Sequence, residues 1–489
     1  MSKINCFVSL GAGEVIDRSL EGINGNQLVN RIYLMGVEAP ADMPEGCFFL
    51  KTDGRFSTGT IKKIADHSAG VSHSLLITTG TRIRMGMLSL ERLLRVAGET
   101  GAGMVYSDYY DLVEEKHLPH PVTDYQAGSV RDDFEFGPVL LLNSDTLRAA
   151  GAGMTDFYDF AGLYQLRLRL SREMLPVRIQ EFLYTVEPPE MRAAGTQVFD
   201  YVDPRNRKVQ AEMEKVFTAY LREIDAYLEP VVEPVAFDQD DFPLEATVII
   251  PVLNRVRTIT DAVESVMAQR TSFDFNLIVV DNHSTDGTTA LLEKLLKKHS
   301  RLIHVIPERR DLGIGGCWNV AVRHPGCGKF AVQLDSDDLY SDETALEQMV
   351  GAFYDQQCAM VVGSYRMVNF ELEEIPPGII DHREWTAENG HNNALRINGL
   401  GAPRAFYTPL LRKTGIPNVS YGEDYGVGLT ISRQYRIGRI YSPVYLCRRW
   451  EDNSDASPGL ETMNRFNSYK DRLRTYELAA RIQMNRQKT

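Results

Sequence analysis

The chain has 489 residues, of which 43% are hydrophobic and 24% are charged, and its formal net charge is −13. This length exceeds one ordinary hydrophobic core, so we expect two or three domains with the composition of a soluble globular protein. The negative charge argues against a broad nucleic-acid-binding surface, which would have to attract phosphate backbones. No apolar run approaches the roughly 18 residues of a membrane helix, and no signal peptide is expected. Six separated cysteines indicate reduced thiols, so we expect a cytoplasmic protein with at most peripheral membrane contact.

The first segment along the chain, residues 1–205, shows a weak internal similarity to the second half. Shifted by 256 positions (335 − 79), Thr79–Tyr109 aligns without a gap with Asp335–Tyr365, and five positions are identical. A shift of 264 positions (401 − 137) aligns four identities from Gly137 onward, and one position further Asp159 aligns with Asp424. Colinear order favours duplication, although unrelated α/β domains also share apolar patterns, so chance remains the alternative.

Residues 206–243 are expected to connect the two halves. Apolar residues at the helical period predict a helix over 206–228. The following stretch to Pro243 is rich in proline and acidic residues, which is typical of an exposed linker.

From residue 244 the pattern alternates between β-branched runs and amphipathic segments. It predicts an α/β fold in which a mostly parallel sheet is flanked by helices. The predicted strands lie at 247–251, 275–280, 302–306 and 330–334, and the predicted helices at 258–269, 286–298 and 316–322. Polar residues follow three of these strands, and ligands of such sheets bind beyond the carboxyl ends of the strands.

Asp335 and Asp337 follow directly on the last of these strands, with Asp338 beside them. Alternate carboxylates at a strand end can converge on one hard cation such as Mg²⁺ or Mn²⁺, which would neutralise a diphosphate. The alternative is that these acids only open the next helix, near a cap at Ser341.

The motifs of this half occur in a fixed order. They are Val248–Asn254, Val279–Thr288, Leu312–Asn319, Leu334–Asp338, Tyr421–Asp424 and Cys447–Trp450. This series resembles the family 2 glycosyltransferases with the GT-A fold, over residues 244–455. The resemblance implies a GT-A-type catalytic domain at 244–455, and with the internal similarity it indicates a degenerate GT-A-like domain at 1–205. In the tail at 456–489, an apolar stripe at the helical period predicts a helix docked on the domain; its members are Phe466, Tyr469, Leu473, Tyr476 and Ala480.

The resemblance also implies roles for individual residues. Asp424 would be the general base that takes the acceptor proton, with Glu423 beside it, and the sugar would be transferred with inversion. Asp335 and Asp337 would bind Mn²⁺ or Mg²⁺. Donor contacts would come from Pro251, Asn254, Asp281, Gly313, Asn319, Asp335 and Arg449.

Two residues near the expected donor contacts depart from the family pattern. The chain has Asp311 where the family usually has Asn, and Trp318 where it often has Arg. No histidine near Trp450 completes a metal site, so the third protein ligand stays open.

The expected partners are a nucleotide-diphosphate sugar, with UDP favoured over GDP, and a glycan or lipid-linked acceptor. Arg404 and Trp450 are candidates for acceptor binding, together with the other two tryptophans and nearby asparagines, although core packing would explain the tryptophans equally well. Two alternatives are a non-catalytic nucleotide-sugar- or glycan-binding protein and a sugar nucleotidyltransferase. The nucleotidyltransferase would require a glycine-rich loop after the first strand, which Pro251–Asn254 does not provide.

Overall fold

The computed structural model describes residues 3–10, 20–187, 207–237, 241–397, 400–450 and 459–488. The chain forms two compact units: unit 1 comprises Met1–Tyr227 and Pro458–Thr489, and unit 2 comprises Leu228–Ser457. The boundary therefore falls inside the connecting segment predicted at 206–243, and the predicted tail belongs to unit 1.

Unit 1 contains nine strands and six helices among its described residues. The strands are β1 (Ile4–Ser9), β2 (Val29–Gly36), β3 (Cys47–Lys51), β4 (His73–Ile77), β5 (Ile83–Met85), β6 (Met104–Val113), β7 (Lys116–His120), β8 (Val139–Asn143) and β9 (Val177–Val186). The helices are α1 (Thr58–Asp66), α2 (Ser89–Thr100), α3 (Ser144–Ala152), α4 (Gly162–Glu173), α5 (Arg207–Glu223) and α13 (Leu460–Lys488).

Unit 2 contains nine strands and seven helices among its described residues. The strands are β10 (Ala246–Val252), β11 (Phe275–Asp281), β12 (Leu302–Val305), β13 (Phe330–Gln333), β14 (Leu339–Tyr340), β15 (Met360–Val368), β16 (Glu374–Ile380), β17 (Arg404–Tyr407) and β18 (Ile437–Arg448). The helices are α6 (Ile259–Met267), α7 (Thr288–Lys298), α8 (Ile314–Arg323), α9 (Ala345–Gln356), α10 (Gly390–Asn393), α11 (Thr408–Thr414) and α12 (Glu423–Ser432).

The sequence explains the central elements of unit 2. Every residue of β11 is buried, as expected of an apolar strand in a parallel pairing covered on both faces. Helix α6 buries Ile259, Ala262, Val263 and Val266, which recur at the spacing of one helical face. Together these elements form the core that fixes the carboxyl ends of β10 and β11.

The sheet of unit 2 has the order β12-β11-β10-β13-β17-β15-β18-β14, with β16 paired to β15. The predicted α/β class is confirmed. The sheet is not mostly parallel, however, because β17, β14 and β16 all pair antiparallel with their neighbours. These strands come after residue 334, beyond the last strand from which parallel pairing was inferred.

The sheet of unit 1 has the same topology. Its order is β3-β2-β1-β4-β8-β6-β9-β5 with β7 paired to β6, which becomes the order of unit 2 when nine is added to each strand number. Helices α2 and α9 begin 256 positions apart (345 − 89), the shift found in the sequence. The expectation of two α/β units in tandem is therefore supported by topology as well as by spacing.

The alignment of Asp159 with Asp424 is wrong. Helices α4 and α12 begin 261 positions apart (423 − 162), so Leu163 corresponds to Asp424. The equivalent tyrosines agree, since the Tyr164 hydroxyl donates to the Val130 carbonyl and the Tyr425 hydroxyl donates to the Ala394 carbonyl. Asp159 lies before α4 and pairs with Lys208 at 2.7 Å.

Helix α13 was predicted to dock through an apolar stripe that includes Tyr476, and this is also wrong. Tyr476 is 63% exposed, whereas the buried face of the helix carries Lys470, Asp471, Arg474 and Arg481. Charge pairing decides the orientation, since Asp471 binds Arg474 within the helix and Arg131 of the unit 1 body. Among the described residues, no helix combines the length and apolarity needed to cross a membrane.

Candidate functional site

Polar side chains collect at the carboxyl ends of three neighbouring strands of unit 2. Strands β11, β10 and β13 pair in parallel and therefore end at the same edge of the sheet. Asp281 ends β11, Asn254 follows β10, and Asp335 follows β13. The sequence-predicted grouping of these residues at one edge is what the topology produces.

Three acidic residues crowd the turn between β13 and β14. Burial raises the pKa of Asp335, and it raises the pKa of Asp338 well above its usual range, with the charge of Asp337 acting in the same direction on both. Helix α9 begins only at Ala345, so these acids do not serve as its first turn. The carboxylates of this turn therefore repel one another, and the N-terminus of α9 does not compensate their charge.

Each of the outer two acids in this turn has a defined hydrogen-bond partner. The Asp335 carboxylate accepts a hydrogen bond of 2.8 Å from the Gln333 side chain, and the Asp335 backbone N–H donates to the Tyr445 hydroxyl at 3.1 Å. The Asp338 carboxylate accepts from the backbone N–H of Arg448 at 2.8 Å. Asp338 is thus directed at the backbone of β18, while Asp337 is directed elsewhere.

Asp337 faces a group of aromatic and basic side chains. Its Oδ2 accepts a hydrogen bond of 3.2 Å from Trp450 Nε1 and lies 3.7 Å from Arg255 Nε. The guanidinium of Arg257 lies 5.0 Å from the ring centroid of Trp450, and the Phe370 ring meets the same indole edge to face. Trp450 therefore contacts the acid predicted to bind metal, and its indole is held by the surrounding rings and cations.

Arg404 links this turn to the start of α12. Its Nη1 lies 2.5 Å from Asp424 Oδ2, and Asp424 Oδ1 accepts from the backbone N–H of Tyr425 at 2.7 Å. The charges of Asp424 and Asp335 both raise the pKa of Arg404 against the effect of its burial. Arg404 was predicted to bind acceptor; in this structure its guanidinium is engaged with the candidate base.

Glu423 is the first residue of α12 and is 9% exposed. Burial raises its pKa to about 8, and the charge of Asp424 adds to the increase. Its Oε2 has no hydrogen-bond partner. A neutral carboxylic acid therefore stands beside the Asp424 carboxylate near neutral pH.

Asp281 organises the loop that follows β11. Its carboxylate is fully buried and accepts from the Ser284 backbone N–H at 2.9 Å and from the Thr289 hydroxyl at 2.5 Å. Burial alone would raise the pKa of Asp281, but these hydrogen bonds outweigh it and lower the pKa. Asn254, in a left-handed conformation at φ +55°, accepts from Thr285 N–H and so ties the neighbouring loop to this one.

Pro251, Gly313 and Asn319 occupy the predicted region with structural contacts of their own. Pro251 lies within β10. Gly313 passes so close to Val419 that a Cβ would lie 2.5 Å from its carbonyl carbon. The Asn319 side chain donates to the carbonyl of Ile416 and accepts from its N–H, which fastens α8 to the loop before α12.

Several of the residues proposed to form an acceptor groove lie in the core, and Asn398 lies outside the described residues. Trp318 and Trp385 are both buried, and Trp318 packs edge to face against Phe406. Asn392 is buried and bonds both the N–H and the carbonyl of Leu228. Of the three tryptophans, Trp450 alone lies beside the acids, because core packing accounts for the other two, whereas Arg404 pairs with Asp424.

Sequence reasoning missed two basic residues. Arg448, not Arg449, is the buried arginine of its motif: it donates to the Asp337 carbonyl and lies 3.0 Å from Asp261. The backbone N–H of Arg449 donates to Val368, within the sheet. Arg255 follows Asn254 directly, so its position in the loop after β10 could have identified it from the sequence as a residue near the acids.

Comparison with known proteins agrees with this arrangement. The sequence model of Glycosyl transferase family 2 matches residues 247–411, which contain the acidic turn and Arg404. An uncharacterized glycosyltransferase of Rickettsia felis is 25% identical over 198 residues, covering 40% of this chain and 31% of that protein. The poly(ribitol-phosphate) beta-N-acetylglucosaminyltransferase TarS of Staphylococcus aureus is 32% identical over 174 residues, covering 35% of this chain and 29% of TarS.

A solved structure of TarS residues 1–349 with UDP-GlcNAc aligns with a TM-score of 0.37 at 21% identity, covering 47% of this chain and 70% of that one. The chain spans less than a third of the length of the curated relatives named above. The family match falls on the α/β sheet of unit 2, where the GT-A-type unit was expected. Residues 247–411 of unit 2 are therefore similar to glycosyl transferase family 2.

Proposed function

We propose that unit 2 transfers a sugar from a nucleotide-diphosphate-sugar donor to a hydroxyl acceptor, with inversion at the anomeric carbon. The observation that carries the proposal is the position of Arg404, whose guanidinium pairs with Asp424 and is influenced by the charge of Asp335. A candidate base and a candidate metal-binding turn are thereby held beside one buried cation.

The donor set of the acidic turn fits a divalent cation. Within the described part of the chain no group of three His, Cys, Asp or Glu side chains could hold a metal ion. A Mg²⁺ or Mn²⁺ ion that acts on phosphates is commonly bound through one or two carboxylates plus the substrate's own oxygens, so a two-acid site is sufficient. Asp335 and Asp337 would hold it, and it would supply charge neutralisation of the leaving diphosphate.

The protein's own part in the reaction is a proton transfer. Asp424 would accept the proton of the acceptor hydroxyl as that oxygen bonds to the anomeric carbon and the bond from this carbon to the diphosphate breaks. Arg404 and the Tyr425 N–H fix the carboxylate, while each oxygen keeps a second lone pair for the hydroxyl. A base opposite the leaving group means a single displacement, which inverts the configuration.

The donor is proposed from the similarity to a known transferase, and the acceptor site is proposed from the position of Trp450. The similarity to an N-acetylglucosaminyltransferase makes a UDP-N-acetylhexosamine the first donor to test, with UDP favoured over GDP. Trp450 lies beside Asp337 and could offer its ring face to a sugar of a glycan or lipid-linked acceptor. We propose a cytoplasmic enzyme acting on such an acceptor.

The test is donor hydrolysis or transfer with a panel of nucleotide sugars and Mn²⁺, alongside calorimetry of donor binding. Asp424→Asn is expected to bind donor within a few-fold of wild type and to lose transfer by at least 100-fold, since the lost group acts only on the acceptor proton. Asp355→Asn, the same substitution at an exposed position of α9, is the control. If donor affinity falls in parallel with rate, Asp424 belongs to the donor site and the proposed role is wrong.

The metal assignment is tested separately. Asp337→Asn should abolish metal-dependent turnover while the melting temperature stays close to that of wild type, because the side chain is at the site edge and 13% exposed. Full wild-type activity in chelator would contradict the assignment. So would an Asp337→Asn variant that keeps activity within a few-fold.

Unit 1 is proposed to be non-catalytic. Its segment between β4 and β5, which corresponds to the acidic turn, reads Thr78-Thr-Gly-Thr-Arg82 and contains no acid. Arg82 pairs with Glu21 and Glu187. Since an oxygen-bound divalent ion needs anionic ligands, this segment is not expected to hold one.

A further inference from the structure

Unit 1 contains an apolar cavity at the place where unit 2 has its charged pair. Strand registers match Leu140 to Arg404, because Met104 pairs with Leu142 in unit 1 and Met360 pairs with Phe406 in unit 2. Leu163 corresponds to Asp424 through the starts of α4 and α12. Both leucines line a cavity of about 200 Å³, so the ion pair of one unit is replaced by the wall of a cavity in the other.

The cavity is built from aromatic and aliphatic side chains. Its lining includes the rings of Phe56, Phe134, Phe136, Phe160 and Tyr164. Phe160 is 41% exposed and therefore marks the side on which the cavity meets solvent. Apolar cavities of about 150 Å³ stay dry and bind a benzene ring, so this one is large enough for a ring with a short substituent.

Two charged side chains, Arg167 and Asp132, stand in this lining. Arg167 is 5% exposed, and its Nη2 donates to the backbone carbonyls of Val130 and Arg131 at 3.4 and 2.7 Å. Its guanidinium lies over the rings of Tyr164 and Phe136, at 4.7 and 5.6 Å from their centroids. It forms no ion pair with any described residue, and its Nε is buried without a hydrogen-bond partner.

A buried guanidinium with an unpaired N–H group requires a hydrogen-bond acceptor. Burial of a charge is unfavourable unless it is paired and hydrogen-bonded, and arginine cannot lose its proton to escape this cost. The two carbonyls and two rings offset part of that cost, but the Nε–H still lacks an acceptor. An oxygen acceptor that arrives with an apolar body would complete the site, and a carboxylate oxygen would form the stronger, charge-assisted hydrogen bond with this N–H.

We propose that unit 1 binds a small apolar carboxylate. The ring or short hydrocarbon part occupies the cavity beside Leu140 and Leu163, and the carboxylate accepts a hydrogen bond from Arg167 Nε. This site is independent of sugar transfer by unit 2. It gives the degenerate unit a binding role of its own, in which the place of the catalytic pair has become a ligand cavity.

The test uses the full chain and 3-phenylpropionate as the probe, titrated by calorimetry, with 3-phenylpropan-1-ol as the uncharged comparator. The acid is expected to bind saturably at one site and at least tenfold more tightly than the alcohol. Arg167→Met should remove that preference, because the cation is lost while the apolar cavity remains. Melting temperatures of all variants establish that each is folded.

A second variant protects the test against misfolding at Arg167. Leu163→Trp fills the cavity and should abolish binding of both probes, whereas Met87→Trp, at a position 94% exposed in the same unit, should bind as wild type does. The proposal is overturned if the acid shows no saturable binding. It is equally overturned if the folded Leu163→Trp protein binds the acid with wild-type affinity, or if the alcohol binds as tightly as the acid.

Discussion

Glu423 shows how burial can keep one carboxyl group protonated beside another, Asp424, that is proposed as the base. It shares the first turn of α12 with Asp424, and its raised pKa of about 8 follows from burial and from the neighbouring charge. With Glu423 protonated, one negative charge fewer lies beside the position where a diphosphate would be bound. The neutral acid thereby reduces repulsion at the site without removing the base.

The shifted pKa of Glu423 makes a prediction about stability and pH. Between the ordinary pKa of a glutamate and about 8, the folded state holds a proton that the unfolded state has released, so stability falls as pH rises. Glu423→Gln removes this dependence and should be more stable than wild type above pH 8 and similar at pH 5. Each unit of pKa shift corresponds to about 1.4 kcal/mol in the free energy of unfolding. Urea unfolding of both proteins at pH 5 and pH 9 measures the difference.

Glu461→Gln, at an exposed position of α13, serves as the control and should follow the wild-type curve. The titrations are performed in chelator, so that a bound cation does not contribute. Equal stability differences between Glu423→Gln and wild type at pH 5 and pH 9 would contradict the shifted pKa.

Arg255 leads to a prediction about the metal. Its Nε lies 3.7 Å from Asp337 Oδ2, so in the absence of donor its positive charge competes with a cation for that carboxylate. Arg255→Met should therefore bind Mn²⁺ several-fold more tightly than wild type in donor-free calorimetry. Arg257→Met is the matched control, because Arg257 stacks on Trp450 and has no ion pair with Asp337. Unchanged or weaker Mn²⁺ affinity in Arg255→Met would contradict this competition.

Among the secondary-structure elements, α13 is held by charge more than by apolar packing. Asp471 lies 3.3 Å from Arg131 and 2.7 Å from Arg474, and it accepts a hydrogen bond of 2.9 Å from Ser129. A Cβ on Gly128 would lie 2.1 Å from the Asp471 carbonyl, so the helix backbone passes directly against this loop. The position of the helix is therefore set by a few specific contacts.

Asp471→Asn should destabilise unit 1 by about 1–3 kcal/mol, because it removes the anion that Arg474 and Arg131 share, although Arg131 keeps its pair with Asp133. Chemical unfolding followed by a probe in unit 1 measures the effect. Glu461→Gln on the same helix should change stability by less than about 0.5 kcal/mol, because that position is exposed. A loss below about 1 kcal/mol for Asp471→Asn would mean that apolar contacts hold the helix.

The sequence predicted the positions of helices and strands better than the contacts between them. The strand expected at 275–280 is β11, Phe275–Asp281, and the helix expected at 286–298 is α7, Thr288–Lys298, because period and burial coincide there. The buried face of α13 was predicted wrongly, because the composition of the helix does not show that Asp471 forms ion pairs with buried arginines. The acids were found from their place after a strand, whereas the contact between Arg404 and Asp424 joins residues of different elements and leaves no local pattern.

At the scale of the whole molecule, two units with one topology differ in their chemistry. The shifts of 256 and 264 positions were readable in the sequence because α2 and α9, and likewise α3 and α11, have kept their lengths nearly unchanged. The placement of Asp159 failed because the loop before α4 differs in length from the one before α12. Internal similarity thus identified the repeat but not the residue in the place of the base.

If unit 1 is inert, unit 2 must account for all turnover. The double variant Asp337→Asn, Asp424→Asn of the full chain should show no metal-dependent nucleotide-sugar turnover above background, because unit 1 has neither acid at the equivalent positions. Binding of 3-phenylpropionate should be unchanged in this variant, which provides a control for the fold of unit 1. Residual metal-dependent turnover would contradict the inertness of unit 1.

Unit 1 is discontinuous in sequence, since residues 228–457 separate its main part from Pro458–Thr489. During synthesis Gly128, Ser129 and Arg131 therefore leave the ribosome long before the helix that covers them. At about 5–20 residues per second, the intervening 230 residues (457 − 228 + 1) delay α13 by roughly 10–45 seconds. Unit 2, whose residues emerge without interruption, can complete its fold in that interval. The order of translation therefore allows unit 2, which carries the acids, to fold first. Unit 1, most of which is synthesised earlier, is completed last.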